Sequence, residues 1–439
     1  MIEVDTLIDA AWVVPVEPTQ TVLAGHSVAV KNGAIVAILP SPQAPEQFSA
    51  RRHIRLPTHA LIPGLVNLHT HAAMTLMRGL ADDLPLMDWL NRHIWPTEAH
   101  HASAEFVFDG TLLACAEMLR GGVTCCNDMY FYPGAVAAAA LKAGMRATLG
   151  VIVFEFPTAY GSDAEDYLHK GLATRDEFKG EPLLGFSIAP HAPYTVSDKT
   201  FSRVLMLAEQ LDCPIHVHLH ETDDEIRHSL TEYGRRPLAR LHDLGLLGPN
   251  LIAVHAVHLN EEEIATLARH GCFVAHCPAS NLKLASGFAP VTKLLDAGVG
   301  VGIGTDGAAS NNRLDVLGET RLAALLAKGV SGRADALPAH QALRMATLDA
   351  ARALGLANRI GSLVPGKAAD ITAIDLSPLE TAPCFDVVSD LVYAAERRQV
   401  SHVWVGGNLL VDQGKLTTVD QAEIGSKAAY WRSRILATK

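Results

Sequence analysis

Two histidines, His69 and His71, end an apolar segment that begins at Leu61. In a β-strand the side chains alternate between the two faces, so these two imidazoles point to the same side and can share one metal ion. Two nitrogen ligands make up half of a zinc site. We therefore expect the other ligands at the ends of further strands, far along the chain.

Four later apolar runs also end in residues that bind metals or transfer protons. These residues are His216, His218, His220 and Glu221 in the first run, His255 in the second, His276 in the third and Asp306 in the fourth. A single histidine in such a place is usually structural, but agreement among five strand ends favours one shared centre. His216 and His218 lie on the same strand face, so spacing alone leaves either of them as a ligand.

Length and composition predict a globular protein with two domains. The chain has 439 residues, of which 49% are hydrophobic and 19% are charged. This length suits one α/β barrel of about 250 residues together with a smaller module. The formal net charge is −11 and there is no basic cluster. Nucleic acid is therefore not expected as a partner, because such binding depends on neutralising phosphates.

The cellular location is predicted from features that the sequence lacks. The first five residues have no charged region followed by an apolar core, as a signal peptide would, and no uncharged run is long enough to span a bilayer. The seven cysteines are scattered, which fits reduced thiols better than disulfides. We predict a cytoplasmic protein without a membrane partner, and we leave its oligomeric state open, a homo-oligomer included.

The two ends of the chain share a pattern of short β-type runs separated by turn residues. We predict that residues 1–60 and 364–425 form one composite β-sandwich module. Residues 61–363 would then form the catalytic domain.

Between the two ends, eight strand-like runs alternate with helical patterns, which predicts a (β/α)8 barrel of the TIM type. The runs are residues 61–68, 123–128, 147–154, 183–190, 215–220, 251–255, 273–276 and 299–306. Helices are clearest at residues 104–119, 199–211 and 261–270. In such a barrel the active site lies at the C-terminal ends of the strands, where all the candidate residues stand. Closure of the barrel would bring residue 69 close to residue 306.

Three segments resemble the amidohydrolase superfamily, in its branch of aminohydrolases that act on adenosine derivatives and triazines. They are PGLVNLHTH at residues 63–71, HLHET at residues 218–222 and GTDGAASNN at residues 304–312. Within that branch the chain is similar to 5′-methylthioadenosine/S-adenosylhomocysteine deaminases, over nearly its whole length. The resemblance implies hydrolytic deamination of a 6-aminopurine nucleoside. The alternative is a related aminohydrolase or chlorohydrolase that acts on a triazine or on a free base such as guanine.

The resemblance also implies a set of metal ligands. They would be His69, His71, His218 and Asp306, holding one Zn²⁺ per chain, with Fe²⁺ or Mn²⁺ as alternatives. His218 is selected over His216 because the family ligand stands three residues before the glutamate. Relatives with two metals bridge them by a lysine at the end of strand four, and this strand ends SIAPHAPY, without lysine. A single metal ion follows.

The implied catalytic residues are Glu221, His255 and Asp306. Asp306 would take a proton from the attacking water, and Glu221 would protonate the ring nitrogen and then the departing amine. His255 would polarise the tetrahedral intermediate or orient the hydroxide. For His276, direct catalysis and a supporting hydrogen bond both stay open.

The implied substrate-binding residues are Trp89, Glu98, His191 and Glu221. Glu98 would bind the ribose hydroxyls, which favours a nucleoside over a triazine or a free base. Relatives that accept S-adenosylhomocysteine hold its carboxylate with an arginine near the end of strand three. No arginine stands between Arg146 and Arg175 in this chain. We expect 5′-methylthioadenosine and adenosine to be better substrates, with Lys170 as the alternative anchor for a carboxylate.

Overall fold

The structure is a computed structural model and describes residues 1–438 of the chain. Within this range sixteen β-strands form two eight-stranded sheets. The strands are β1 (Ile2–Val13), β2 (Leu23–Lys31), β3 (Ala34–Pro40), β4 (Phe48–Pro63), β5 (Leu65–Thr70), β6 (Val123–Asp128), β7 (Arg146–Val153), β8 (Leu184–Pro190), β9 (Ile215–Leu219), β10 (Leu251–His255), β11 (Phe273–His276), β12 (Gly300–Ile303), β13 (Ile371–Asp375), β14 (Val400–Val405), β15 (Asn408–Asp412) and β16 (Lys415–Leu416).

Helices connect the strands of the barrel sheet, and one more helix follows the last strand, β16. The α-helices are α1 (Ala44–Gln47), α2 (Leu86–Trp89), α3 (Trp95–His101), α4 (Ala104–Arg120), α5 (Pro133–Ala143), α6 (Ala164–Glu177), α7 (Asp198–Leu211), α8 (Asp223–Tyr233), α9 (Pro237–Asp243), α10 (Glu261–His270), α11 (Pro278–Lys283), α12 (Val291–Asp296), α13 (Val316–Ser331), α14 (Ala339–Arg344), α15 (Ala350–Ala353), α16 (Val387–Tyr393) and α17 (Gln421–Ala437). Short 3₁₀- or π-helical segments lie at Ser41–Gln43, Ala72–Met77, Leu90–Ile94, Met345–Asp349, Leu379–Thr381 and Arg397–Gln399. Across residues 1–438, no helix has the length and apolar character needed to cross a bilayer.

The strands β5 to β12 form a parallel barrel in which chain neighbours are also sheet neighbours. The first strand meets the chain just after the last one, since the amides of Thr305 and Asp306 donate to the carbonyl oxygen of His69 at 3.1 and 3.0 Å. The side chain of Asn67 also hydrogen-bonds Thr305. The predicted (β/α)8 fold class is therefore confirmed, and closure places residues 69 and 306 side by side.

The other sheet is built from both chain ends, in the order β16-β15-β14-β13-β4-β1-β2-β3. Strands β1 and β4 are parallel, while β4 and β13 pair antiparallel and so join the N-terminal strands to the C-terminal ones. Ile8, Leu61, Ile371 and Trp404 are buried in one cluster within this module. A small β module made from both ends is thus confirmed. Its bounds at residues 60 and 364 remain a prediction.

The expected strand at residues 61–68 is divided at Gly64 between the two sheets. Leu61 to Pro63 complete β4, and the barrel begins at Leu65. A Cβ atom at Gly64 would lie 2.1 Å from the hydroxyl of Thr124, so only glycine fits here. The prediction of one continuous strand was wrong because the hydrophobic run does not reveal that its two halves pair with different partners.

Candidate active site

Four side chains meet at the C-terminal ends of the barrel strands. The metal-capable atoms of His69, His71, His218 and Asp306 all lie within 4.8 Å of one another. The Nε2 atoms of His69 and His71 are each 3.2 Å from Oδ1 of Asp306, and Nε2 of His218 is 3.3 Å from Nε2 of His69. His69 lies in β5 and His71 directly after it, His218 lies in β9, and Asp306 stands three positions beyond β12. Barrel closure alone brings them together.

The outer ring nitrogens of the three histidines are hydrogen-bonded away from the centre. His71 Nδ1 donates to the carbonyl of Met129 at 2.6 Å, and His218 Nδ1 donates to the carbonyl of His191 at 2.8 Å. His69 Nδ1 lies 2.9 Å from Nε2 of His216. Each ring therefore turns its Nε2 inward, the orientation that outer hydrogen bonds impose on metal ligands.

Asp306 is held by two hydroxyls on the side of its carboxylate that faces away from the histidines. Ser280 and Ser310 each donate to Oδ2 at 2.6 Å, which leaves Oδ1 for the histidine side. Asp306 has a positive φ of 61°, a conformation that costs energy for a residue with a side chain. The backbone is bent here so that the carboxylate enters the group.

The donor set fits a divalent cation. Burial lowers the pKa of His218 well below its ordinary value and that of His69 to about 3, which favours neutral rings. Burial by itself would also lower the pKa of His71, but the hydrogen bond to Asp306 raises it to about 9. A cation at this site would replace the proton on His71, because metal ligands must be deprotonated. Burial by itself would raise the pKa of Asp306, but its hydrogen bonds to His69 and His71 hold it well below the usual range. Three imidazole nitrogens and one carboxylate oxygen are ligands that zinc prefers.

Glu221 and His255 lie next to this group. Oε2 of Glu221 is 3.7 Å from Nε2 of His255. Burial raises the pKa of Glu221, so this carboxyl group takes up a proton more readily than an exposed one. The buried carboxylate of Glu225 accepts the amides of His220 and Glu221 at 2.9 and 2.8 Å and so fixes the end of β9.

A cavity, the candidate substrate cavity, opens over the group and is lined by the side chains that the sequence analysis predicted to bind substrate. Trp89 and Glu98 reach it from the helical loop after β5, and His191 from the end of β8. Oε1 of Glu98 accepts a hydrogen bond from the hydroxyl of Tyr130 at 2.7 Å, and burial raises the pKa of Glu98 to about 7. His191 stacks on Phe154 with ring centres 4.5 Å apart.

His276 is not brought into this cavity. It lines a separate space, together with Asn281 and apolar residues such as Phe288. Its Nδ1 atom has no hydrogen-bond partner among residues 1–438. A direct catalytic part for His276 thus has no support in the geometry.

Known proteins share both the sequence and this architecture. The sequence profile described as the amidohydrolase family matches residues 60–410. The chain belongs to the amidohydrolase family. It is 48% identical to a 5-methylthioadenosine/S-adenosylhomocysteine deaminase of Saccharophagus degradans, over 99% of this chain and 98% of the relative.

Two solved structures extend the comparison of this amidohydrolase. An adenosine deaminase from Xanthomonas campestris with bound zinc is 52% identical, with a TM-score of 0.98 and 99% of each chain covered. An atrazine chlorohydrolase from Arthrobacter aurescens, complexed with zinc, is 25% identical, with a TM-score of 0.91 and coverage of 97% of this chain and 100% of that one. Both similar proteins hold zinc, which together with the four-residue group supports a divalent metal site in this amidohydrolase.

Several side chains that support the site were missed by the sequence reasoning. They are Tyr130, Ser280, Asn281 and Ser310, and Glu225 behind the end of β9. In the segment HCPASN at residues 276–281, the histidine was the predicted candidate, whereas the serine contacts Asp306 and the asparagine contacts His255. Two adjacent polar residues just after a buried strand end were the available signal.

Lys170 does not offer a free cation to the cavity of this amidohydrolase. Its Nζ donates to the carbonyl of Tyr160 and to the carboxylate of Asp166, both at 2.7 Å. The expected alternative anchor for a substrate carboxylate is thus already paired.

Proposed function

We propose that this amidohydrolase is a metal-dependent deaminase of 6-aminopurine nucleosides, in which water replaces the amino group and ammonia leaves. One observation carries the proposal: His71, His218 and Asp306 of the four-residue group line one cavity together with Glu221 and the buried Glu98. We infer that Glu221 and the metal-binding group face the heterocycle and that Glu98 faces the diol of the substrate. The deaminase names of the relatives point to the same reaction.

We infer one zinc ion per chain, held by His69, His71, His218 and Asp306. When bound there, such an ion lowers the pKa of a water ligand from about 15.7 to about 7. The end of β8 carries His191 rather than a lysine, which supports a single-ion site. The protein groups then have to orient the attacking water and move its protons.

Asp306 and His255 act on the attacking water in this proposal. Oδ1 of Asp306 faces the histidines while two serine hydroxyls hold Oδ2, so one oxygen is left to accept the proton of the water. His255 lines the same cavity and would orient the water toward the substrate. A base and an orienting group on one side of the heterocycle give the water a fixed direction of attack.

Glu221 supplies the proton on the substrate side. Burial raises its pKa, so it can bring a proton to the ring nitrogen next to the attacked carbon and later pass one to the amine. Its backbone amide is bonded to Glu225, which limits movement of the acid during this transfer. Glu221 first gives its own proton to the ring nitrogen, then takes up the hydroxyl proton of the tetrahedral adduct as the carbonyl group forms, and passes that proton to the amine, which leaves as ammonia. The proton that Asp306 took from the water afterwards restores the acid form of Glu221.

Glu98 would bind the two ribose hydroxyls. Its Oε1 is already bonded to Tyr130, so Oε2 and the second lone pair of Oε1 are available. A buried carboxylate that lacks these bonds costs free energy, so a substrate with a diol is favoured over a free base. This distinguishes a nucleoside from guanine or a triazine.

A second chamber adjoins Glu98 and suits the 5′ substituent of such a nucleoside. It is walled by Trp95, Phe131, Phe154, Phe156, Pro157 and Ala159. Glu98 is the single ionisable side chain among the described residues that line it. An uncharged methylthio group fits these apolar walls, whereas an amino-acid tail would leave its carboxylate without a cation.

Ammonia release from a substrate panel tests the proposal. The panel holds 5′-methylthioadenosine, adenosine, S-adenosylhomocysteine, adenosine monophosphate, adenine, guanine and a triazine. We expect the first two to have the highest kcat/KM and the phosphorylated compound to be near zero. Preference for a free base or a triazine would overturn the nucleoside assignment. Preference for S-adenosylhomocysteine would overturn only the inference from the apolar chamber.

A further inference from the structure

The short helix α11 places one buried amide directly behind a residue of the candidate site. The Oδ1 atom of Asn281 lies 2.8 Å from Nδ1 of His255, and both side chains are buried. Asn281 is the last residue of the HCPASN segment, and the preceding Ser280 contacts Asp306. Adjacent residues of α11 thus contact His255 and Asp306, the two residues that act on the attacking water in the proposed function.

The contact determines which nitrogen of His255 carries hydrogen. A carbonyl oxygen only accepts, so the ring must donate from Nδ1. In the neutral ring, Nε2 then keeps its lone pair, and this atom is the one that lies 3.7 Å from Glu221. If the ring flipped or changed tautomer, Nε2 would either turn away or lose its lone pair.

The side chain of Asn281 makes no other hydrogen bond among residues 1–438. Its side chain lines the separate space beside His276 and is not among the residues that line the candidate substrate cavity. Its Nδ2 atom has no hydrogen-bond partner within the described part of the chain. A buried polar side chain that keeps a single hydrogen bond, and makes it to His255, is expected where that bond has a function.

We propose that Asn281 is a positioning residue that holds His255 in the Nδ1-protonated form, with Nε2 directed at the substrate cavity. The inference rests on the proposed deaminase function, in which His255 orients the attacking water. Asn281 acts through His255, so its loss should lower kcat and leave KM nearly unchanged. Substrate binding depends on other residues.

Two substitutions of Asn281 by side chains of similar size test whether His255 needs a hydrogen-bond acceptor at this position or only a side chain that fills the space. Asn281→Asp keeps an oxygen toward Nδ1 and replaces the nitrogen that has no partner. Asn281→Leu removes the acceptor. We expect Asn281→Leu to lower kcat about 10- to 100-fold, the usual effect of losing such a supporting bond, with KM changed less than about threefold. Asn281→Asp should recover most of the lost kcat.

Leu282→Ala, at an exposed position of the same helix, is the matched control and should retain wild-type kcat. Zinc content and thermal unfolding are measured on every variant, so that loss of metal or of fold is seen separately. Equal loss of kcat in the aspartate and leucine variants, or no loss in the leucine variant, would overturn the proposal. All ratios are taken against the wild-type rate on whichever substrate the panel identifies. An error in the substrate assignment would therefore not be mistaken for failure of this inference.

A spectroscopic measurement on the wild-type protein does not depend on the variants folding. Two-bond ¹H–¹⁵N correlation spectra of zinc-loaded protein with ¹⁵N-labelled histidine report the hydrogen on each ring nitrogen. The His255 signal is assigned by its loss in His255→Gln. We expect a protonated Nδ1. An unprotonated Nδ1 would show that the amide donates instead, which contradicts the proposal.

Discussion

Nδ1 of His69 lies 2.9 Å from Nε2 of His216, so one buried histidine stands directly behind another. His69 belongs to the four-residue group, whereas His216 does not reach it. The other ring nitrogen of His216, Nδ1, has no hydrogen-bond partner among residues 1–438. The two histidines of β9 that share one strand face therefore differ in position: His218 faces the group, and His216 contacts the back of His69.

This relationship predicts that His216 supports metal binding without being a ligand. His216→Phe keeps a ring in the space but removes the partner of His69 Nδ1, so zinc affinity should fall about 10- to 100-fold. Competition with a chromophoric chelator measures the change. His276 is another buried histidine, and it lies outside the candidate substrate cavity. His276→Phe is therefore the control and should shift the zinc affinity less than about threefold. Complete loss of zinc in His216→Phe would instead make His216 a direct ligand.

Removal of the metal should abolish ammonia release. The proposed water has an ordinary pKa without a cation, and activity should return when about one equivalent of zinc per chain is added. Metal analysis and titration of the chelated protein measure this stoichiometry. His71→Ala should lower the bound zinc. Activity that requires two equivalents would contradict a single-ion site.

Glu221→Gln should retain zinc and lose most of its turnover. The amide keeps the shape of the side chain but cannot transfer the proton, and general acid–base catalysis contributes roughly 10²- to 10⁴-fold. Steady-state kinetics together with metal analysis test both parts. If more than a tenth of the wild-type kcat remains, the proton must come from another group.

Glu98 should make the stability of the substrate-free protein depend on pH. Burial raises the pKa of Glu98 from 4.5 to about 7, so the folded state holds this proton more tightly than the unfolded state does. Stability is therefore lost as the pH rises from 4.5 through 7. The difference between these pKa values corresponds to about 3 kcal/mol at about 1.36 kcal/mol per pKa unit.

Glu98→Gln removes this ionisation and can keep the acceptor for Tyr130. The variant should gain up to about 3 kcal/mol in free energy of unfolding, relative to wild type, between pH 4.5 and pH 8. Urea unfolding at several pH values measures the gain. Glu209→Gln, at an exposed position, should show no such pH-dependent difference. A constant difference between Glu98→Gln and wild type across this range would place the ionisation elsewhere.

The apolar chamber beside Glu98 predicts a change of specificity from one substitution. Phe156 lines this chamber and is partly exposed, so Phe156→Arg places a cation where the tail of S-adenosylhomocysteine would extend. The ratio of kcat/KM for S-adenosylhomocysteine to that for 5′-methylthioadenosine should rise about tenfold, since hydrogen bonds between charged groups contribute about 1.5–3 kcal/mol. Phe156→Leu, which adds no charge, should leave the ratio nearly unchanged. If arginine and leucine have the same effect, the tail does not enter this chamber.

The sequence by itself determined the fold class, and its resemblance to a known family predicted the four residues that the structure brings together. Strand-like runs alternating with helical patterns predict a parallel barrel, and the structure has strand ends at Asp128, His255 and His276, as expected. The helix α10 also has the predicted bounds, because Asn260 caps its start and Gly271 ends it. Such features depend on the periodicity of hydrophobic residues and on the residue types at helix ends and turns, and both are encoded by residues close together in the sequence.

Only the tertiary structure decided the contacts around these residues. The need for glycine at position 64 depends on Thr124, the place of His216 depends on His69, and the contact of Asn281 depends on His255. Each of these pairs joins residues far apart in the chain. Their distances arise when eight strands close into one barrel, and no local pattern of spacing encodes which side chains then face each other.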